Sequence, residues 1–314
     1  MPQLRGRAGA PAAPRLSPGS IVARLRIALA TSARYPELPA DERLAVPALA
    51  RLGVSAEPVV WDDARAAWGT FDAVVVRSCW DYHLKAAEFL GWLARLEGLG
   101  MPVLNPPPLL RWNADKRYLF SLAERGVAIV PTRVVPRGAP EAREALLRAL
   151  DELAADEAVV KPAVSASAHG TWRTSRAAAA ADARRLEALV AAGDVLVQPF
   201  VRAVTDAGEW SVLCFGGRPS HTVLKRPAPG DWRVQGELGG TAELGTAPAL
   251  VLEQARRVLE AAGAGEAAYA RVDGCVIDGG FVLMELELIE PQLYLALEPN
   301  APDRLARAVM EALD

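Results

Sequence analysis

The chain has 314 residues, 51% of them hydrophobic and 23% charged, with a formal net charge of -3. That length suggests two or three packed units with ample core, and the near-neutral balance gives no electrostatic reason to expect nucleic acid or an anionic membrane as partner. No apolar run reaches the ~20 residues of a membrane span, and Cys79, Cys214 and Cys275 are too scattered for a disulfide framework or a zinc site, so a reducing cytoplasm is the expected setting.

Residues 1–23, rich in Pro, Ala, Gly and Arg, read as a disordered leader. Order is expected from Arg24. LRIALAT is a short strand, DERLAVPALARLG a helix opened by Asp41 and closed by Gly53, SAEPVVW and FDAVVVRS are strands, 83–98 is a helix, and MPVLNPP is a strand broken by its prolines. Strands alternating with helices over 24–112 predict a parallel sheet with right-handed crossovers. RSCWDYH, 77–83, follows the strand DAVVVRS directly. That puts Arg77, Asp81 and His83 near the carboxyl end of the strand, where open α/β sheets bind ligands. Packing at a strand-to-helix corner, with Asp81 as a helix cap, fits the same residues.

A second unit is expected over 113–200. NADKRYLFSLAERG predicts a helix with Lys116 in its first turn, an unfavourable place for a cation against the helix dipole unless it meets an anion. VAIVPTRVV is a strand, APEAREALLRALDEL a helix, and EAVVKPAV a strand that brings Lys161 to its end. The small-residue loop VSASAHGTWRTS, with hydroxyls at Ser165 and Ser167, can bring backbone N–H groups close to phosphate oxygens. His169 is a turn residue there. DVLVQPFV, 194–201, is an apolar strand whose Gln198 precedes Pro199 and Phe200, placed as a hinge between lobes.

Over 201–314, EWSVLCFGGRPSHTVLKRP predicts a hairpin with its turn at GGRP, and APGDWRVQGELGGTAEL is too polar and Gly-rich to be core. PALVLEQARRVLEAAGA and PDRLARAVMEAL are helices, and GAGEAA caps the first of them, since it precedes no helix as a dinucleotide fingerprint must. YARVDGCVI and FVLMELELI predict antiparallel strands joined at DGG. The pleat then points Glu285 and Glu287 to one face, with Met284, Leu286 and Leu288 on the other and Asp273 across from the acids. Three close carboxylates repel at neutral pH unless something positive sits among them, and an all-oxygen set favours Mg²⁺, with Mn²⁺ a substitute. A solvated acidic edge strand fits the pattern equally well. Lys225, Arg226, Arg233 and Arg271 add positive charge nearby. Walker, zincin, hydrolase-elbow and protein-kinase motifs are all lacking. What remains is a plan for holding a nucleoside triphosphate between two lobes.

DKR at 115, VVKPAVSASAHGT at 159, VLVQPFV at 195, GEWSVLCFGG at 208 and YARVD with LMELELIEP resemble the motifs of ATP-grasp enzymes, over 24–314. The resemblance implies an α/β class chain with the ATP-grasp fold: an α/β amino-terminal, substrate-side domain followed by two α+β lobes enclosing Mg-ATP. It implies that Lys116 and Lys161 read phosphates beside Ser165 and Ser167, and that Gln198 with the backbone of Phe200 and Val201 forms the adenine hinge. Asp273, Glu285 and Glu287 fall where the family holds Mg²⁺. RSCWDYH, LKRP, DWRVQ and ELELIEP are most similar to the subgroup containing the cyclo-ligase that closes O-ureido-D-serine to D-cycloserine. Departures are visible too. Glu287 stands where many members have Asn, Ser and Ala replace glycines in the loop, and Arg202 replaces the usual ribose acid, leaving Asp206 or Glu209 as substitutes. The implied activity is a Mg-dependent carboxylate-amine ligase acting through an acyl phosphate on a small amino-acid-like substrate, as an intramolecular cyclo-ligase in natural-product biosynthesis or as a peptide- or glutathione-type two-substrate ligase. A non-catalytic nucleotide-binding accessory is the third reading. Arg226, Arg233 and Arg271 are the candidates for phosphate or substrate-carboxylate contacts, since a guanidinium fork matches either anion. A monomer or homodimer is expected.

Overall fold

The computed structural model describes residues 24–314; the expected leader, 1–23, lies outside them. The chain opens with β1 (Arg26–Thr31), α1 (Ala45–Arg51), β2 (Ser55–Val60), β3 (Ala73–Ser78), α2 (Ala86–Gly98) and β4 (Val103–Leu104). These strands form a parallel sheet in the order β2-β1-β3-β4, as expected of strands alternating with helices. β1 and β3 are buried on both faces, which is why they read as unbroken apolar runs. Ile27, Leu29 and Val75 face one core, and Ala28, Val74 and Val76 face another built on Trp61, Trp68, Phe89 and Trp92.

Next come α3 (Pro107–Asn113) and α4 (Tyr118–Glu124). The prolines after Asn105 do more than end β4, because Pro107 opens α3 at a position where the missing N–H costs nothing. The helix expected from Asn113 starts only at Tyr118, and Lys116 lies in the turn between α3 and α4. The break has one local and one long-range cause: Asp115 takes the Arg117 N–H at 2.9 Å, and the Lys116 N–H is donated across to the Ala163 carbonyl at 2.8 Å.

The second sheet comprises β5 (Arg133–Val135), β6 (Glu157–Pro162), β7 (Trp172–Ser175) and β8 (Val195–Pro199), antiparallel in the order β5-β8-β6-β7. α5 (Ala142–Glu152) and α6 (Ala179–Ala192) pack through Leu146, Leu150, Leu186 and Val190 onto Val160, Val195 and Val197. The first half of VAIVPTRVV leaves this sheet. Val130 donates to the Leu283 carbonyl and Leu283 to that of Ala128, so the segment before Pro131 covers another strand instead.

The remaining elements are α7 (Ala203–Asp206), β9 (Glu209–Phe215), β10 (Arg218–Arg226), β11 (Thr241–Leu244), α8 (Ala249–Ala262), β12 (Tyr269–Ile277), β13 (Gly280–Glu287) and α9 (Ala301–Glu311). Their strands make an antiparallel sheet in the order β11-β10-β9-β12-β13. β11 was not expected in so polar a stretch. It is held by pairing to β10. Gly216-Gly217 and Asp278-Gly279 turn the two hairpins with positive φ at both positions, the geometry that matches strand twist. One face of the sheet packs Val212, Val272, Leu283 and Leu286 on α8. Met284 departs from the expected alternation. Asp273 pairs with Glu285 and Gly274 with Leu283, so Met284 is the extra residue of a bulge and turns toward Cys275 and Val204, away from the α8 core.

Candidate active site

The polar face of the five-stranded sheet looks across to β6, β8 and the loop 163–171, enclosing a cavity of about 470 Å³. Of the residues singled out from the sequence, Lys116, Lys161, Ser165, Ser167, Gln198, Phe200, Val201, Glu209, Arg233, Arg271, Asp273, Glu285 and Glu287 all line it. Arg226 does not. Along β10 the alternation turns Lys225 inward, buried, and leaves Arg226 exposed on the opposite face.

Register explains how the charges meet. Lys225 stands across from Glu209, Asp273 across from Ser211 and Glu285, and Arg271 across from Glu287. Lys225 Nζ lies 2.6 Å from Glu209 and 3.2 Å from Asp273. Arg271 reaches Asp273 at 2.9 Å and also Glu287, and Ser211 donates to Asp273 at 2.6 Å. Lys116 Nζ lies 2.9 Å from Glu285 and donates to the Ser165 carbonyl. The positive charge among the acids is thus protein-borne, and the solvated-edge alternative fails. Asp273 is only 2% exposed, and the outer edge of β13 is covered by Asn113 and Tyr118, which bond to Leu286 and Leu288.

The carboxyls are not equivalent. Burial would raise Asp273, but Arg271 and Lys225 hold it down at about 2. Burial also opposes ionisation of Glu285, yet Lys116 and Lys161 keep it below the ordinary range. Glu287 is pushed up to about 7, burial outweighing Arg271 and the negative Glu285 and Asp273 adding to it. Among the described residues, no three His, Cys, Asp or Glu side chains converge in metal-holding geometry. The donor chemistry nevertheless fits a hard cation: all oxygen, from two adjacent strands, with Glu287 lifted by burial and by the negative Glu285 and Asp273 beside it.

The opposite wall differs. Lys161 has no carboxylate within 4 Å among the described residues, and burial lowers its pKa. In the loop beside it Ser167, Ala168 and Gly170 all have positive φ, so two positions bear side chains where the backbone favours glycine. Lys116 and the Pro162 carbonyl hold Ser165 at the loop base. At the end of β8, Gln198 is fixed by donating to Thr132 at 2.9 Å. The Phe200 N–H is taken by the Glu157 carbonyl, which leaves the Phe200 carbonyl and the Val201 N–H without partners among the described residues. Arg173 stacks over the Phe200 ring at 3.9 Å, and Trp232 meets it edge-on. Arg233 lines the cavity mouth but is already held by Asp231 at 2.8 Å. Of the two ribose-acid substitutes, Glu209 lines the cavity, engaged by Lys225, and Asp206 is exposed outside it.

The heptapeptide 77–83 contributes differently from expectation. Arg77 is 1% exposed, paired with Glu42 at 2.8 Å, and Asp81 accepts from Trp61 without capping the helix. His83 also stays out of the lining, its ring tilted against that of His169 with centroids 5.1 Å apart. Trp80 and Tyr82 are the residues that reach the cavity, at its amino-terminal-domain end, beside Glu290. Lys225, Trp80, Tyr82 and Glu290 were missed as site residues. For Lys225 the alternation of SHTVLKR with Glu209 opposite was an available signal.

Residues 27–105 match the family model described as the amino-terminal domain of D-cycloserine synthetase DcsG. The cycloserine biosynthesis protein DcsG of Streptomyces lavendulae is 33% identical over 309 residues, covering 91% of this chain and 98% of the relative. The crystal structure of D-cycloserine synthetase DcsG superimposes with a TM-score of 0.84 at 32% identity, over 92% of this chain and 100% of that one. D-alanine–D-alanine ligase from Bacillus anthracis, at 16% identity and a TM-score of 0.67 over 92% and 97% of the two chains, shares the fold. A cavity between two antiparallel sheets behind a parallel α/β unit, carried on a chain one-third identical to that relative along nearly all its length, makes this protein a member of the DcsG family of ATP-grasp enzymes, an ATP-dependent ligase.

Proposed function

We propose that the protein is a Mg-dependent carboxylate-amine ligase that closes a small amino-acid-like substrate of the O-ureidoserine type into a cycloserine-like ring. Residues 24–112 serve the substrate side, and 113–200 with 201–314 form the two lobes around the nucleotide. The observation that carries this reading is Lys161: a cavity-facing lysine without an acidic partner, across from acids that are already balanced by Lys116, Lys225 and Arg271. A lysine so placed is a site for a ligand anion, which a triphosphate supplies. The unpartnered Phe200 carbonyl and Val201 N–H offer one acceptor and one donor side by side, the pair that an adenine edge presents in complement.

In the proposed reaction a substrate carboxylate oxygen displaces ADP from the γ-phosphate. A nitrogen of the same molecule then displaces inorganic phosphate, forming the carbon–nitrogen bond. Lys116 and Lys161 bind and orient the phosphates, and Arg271 holds Asp273 and Glu287 in place. Arg271 and Arg233, the arginines that line the cavity, are the guanidinium groups offered to a substrate carboxylate. Asp273, Glu285 and Glu287 would hold Mg²⁺, which would neutralise phosphate charge when bound. The phosphoryl transfer needs little covalent help from the protein beyond this positioning, and the attacking nitrogen gives up its proton to solvent or to the departing phosphate. Family membership leaves the non-catalytic accessory reading without support, and a two-substrate ligase differs only in where the nitrogen comes from.

The test is oxygen bookkeeping. With substrate labelled by ¹⁸O in its carboxylate, one label per turnover should appear in the released phosphate. Unlabelled phosphate at normal turnover would contradict the acyl-phosphate route.

A further inference from the structure

We propose that Glu290, flanked by Trp80 and Tyr82, forms the subsite that receives the substrate's ammonium group; this rests on the functional reading above. Glu290 is 7% exposed and lines the cavity. The other acids there are committed: Glu209, Asp273, Glu285 and Glu287 each touch a lysine or arginine, and Glu237 reaches Arg34 at the exposed mouth. Among the described residues Glu290 has no cation within 4 Å, and its carboxylate accepts no hydrogen bond from another residue. The nearest cationic neighbour, Lys116, is held by Glu285 and the Ser165 carbonyl.

The position is built rather than loose. Trp80 donates its indole N–H to the Glu290 carbonyl at 2.9 Å, and Arg77 donates to the next carbonyl, that of Pro291, at 2.8 Å. Tyr35 meets the Trp80 ring edge-on at 5.2 Å and holds it. These contacts come from the amino-terminal domain and fix the backbone that carries one acid of the cavity lining. An unpaired acid at so buried a position is costly, and burial with Glu287 nearby lifts its pKa well above the usual range. Its ionised form would repel a phosphate, so an anion does not relieve the cost. An ammonium group removes the cost and is also attracted to aromatic faces such as those of Trp80 and Tyr82. The ligand class is therefore a primary ammonium carried by a small carboxylic acid.

Calorimetric titration of O-ureidoserine into protein saturated with Mg²⁺ and a non-hydrolysable ATP analogue tests this directly. Glu290→Gln keeps the shape and removes the charge, so binding should weaken about 10- to 100-fold, the range for a charge-assisted hydrogen bond. The substrate analogue with hydrogen in place of the amino group should bind wild type and Glu290→Gln equally, and the nucleotide affinity of the variant should stay within about twofold of wild type. Wild-type affinity for O-ureidoserine in Glu290→Gln, or an equal loss for the des-amino analogue, would overturn the subsite alone. Loss of Mg²⁺-dependent nucleotide binding would instead place Glu290 at the metal. If wild type binds neither compound, the functional reading falls and the subsite with it.

Discussion

Glu287→Gln in the metal-free protein should separate the two glutamates of the final strand. Glu287 is pushed from an ordinary 4.5 up to about 7 by burial and by its negative neighbours. A raised carboxyl pKa means that the folded state holds the proton more tightly, so this group's contribution to stability is present at low pH and lost as pH rises through about 7. The gap between 4.5 and about 7 corresponds to about 3 kcal/mol at 1.36 kcal/mol per pH unit. For a chain of this length the whole gap is about 5 °C in melting temperature. The loss runs from pH 4.5 to about 7, so between pH 5.5 and pH 8 in EDTA about 2 kcal/mol of it is seen, and wild type should lose about 3 °C more than Glu287→Gln, which is neutral throughout. Glu285→Gln should behave oppositely. Lys116 and Lys161 favour its charged form, so removing the charge should destabilise the protein at pH 8. Scanning calorimetry of the three proteins at both pH values provides the assay. Parallel pH slopes for wild type and Glu287→Gln, or stabilisation by Glu285→Gln, would refute the charge assignment.

Lys161→Ala should weaken ATP binding and turnover together by about 1.5 to 3 kcal/mol, with an unchanged far-UV circular dichroism spectrum. Arg226→Ala should shift neither stability nor ADP production beyond about 0.5 kcal/mol, since the side chain is exposed outside the cavity. Lys225→Met should cost about 3 to 5 kcal/mol in urea unfolding, because it leaves buried Glu209 and Asp273 short of a cation. Gly217→Ala should strongly destabilise the β9–β10 turn: its Cβ would lie 1.6 Å from the Gly265 carbonyl oxygen, and φ is already +69°.

Much of the architecture was legible where one physical signal dominated. The double-sided burial of β1 and β3 shows as continuous apolar runs, and Asp278-Gly279 marks the hairpin that places Asp273 against Glu285. The errors arise where long-range contacts overrule local pattern. Nothing local to NADKRYLF announces that the Lys116 N–H will bond Ala163, yet that bond helps end the helix. α6 is rich in alanine, so its buried stripe of Leu186 and Val190 gives little periodic contrast. The bulge at Met284 depends on its partner strand. Residue type and spacing singled out Lys116, Lys161, Gln198 and the three acids, all of which line the cavity, while the roles proposed for them rest on the family resemblance. Lys225 and Arg226 are adjacent, so only the register with Glu209 decides which one points inward. Glu290 differs from its neighbours in burial and lack of a partner, neither of which is written in ELELIEP.

The central claim is tested most directly by ADP release from Mg-ATP in the presence of O-ureidoserine and a panel of amino acids, with mass spectrometry of the products. The account predicts ADP production that requires both Mg²⁺ and the substrate, matched mole for mole by a cyclised product containing the new carbon–nitrogen bond. ADP production indifferent to every amino-acid-like compound, or none at all, would contradict it.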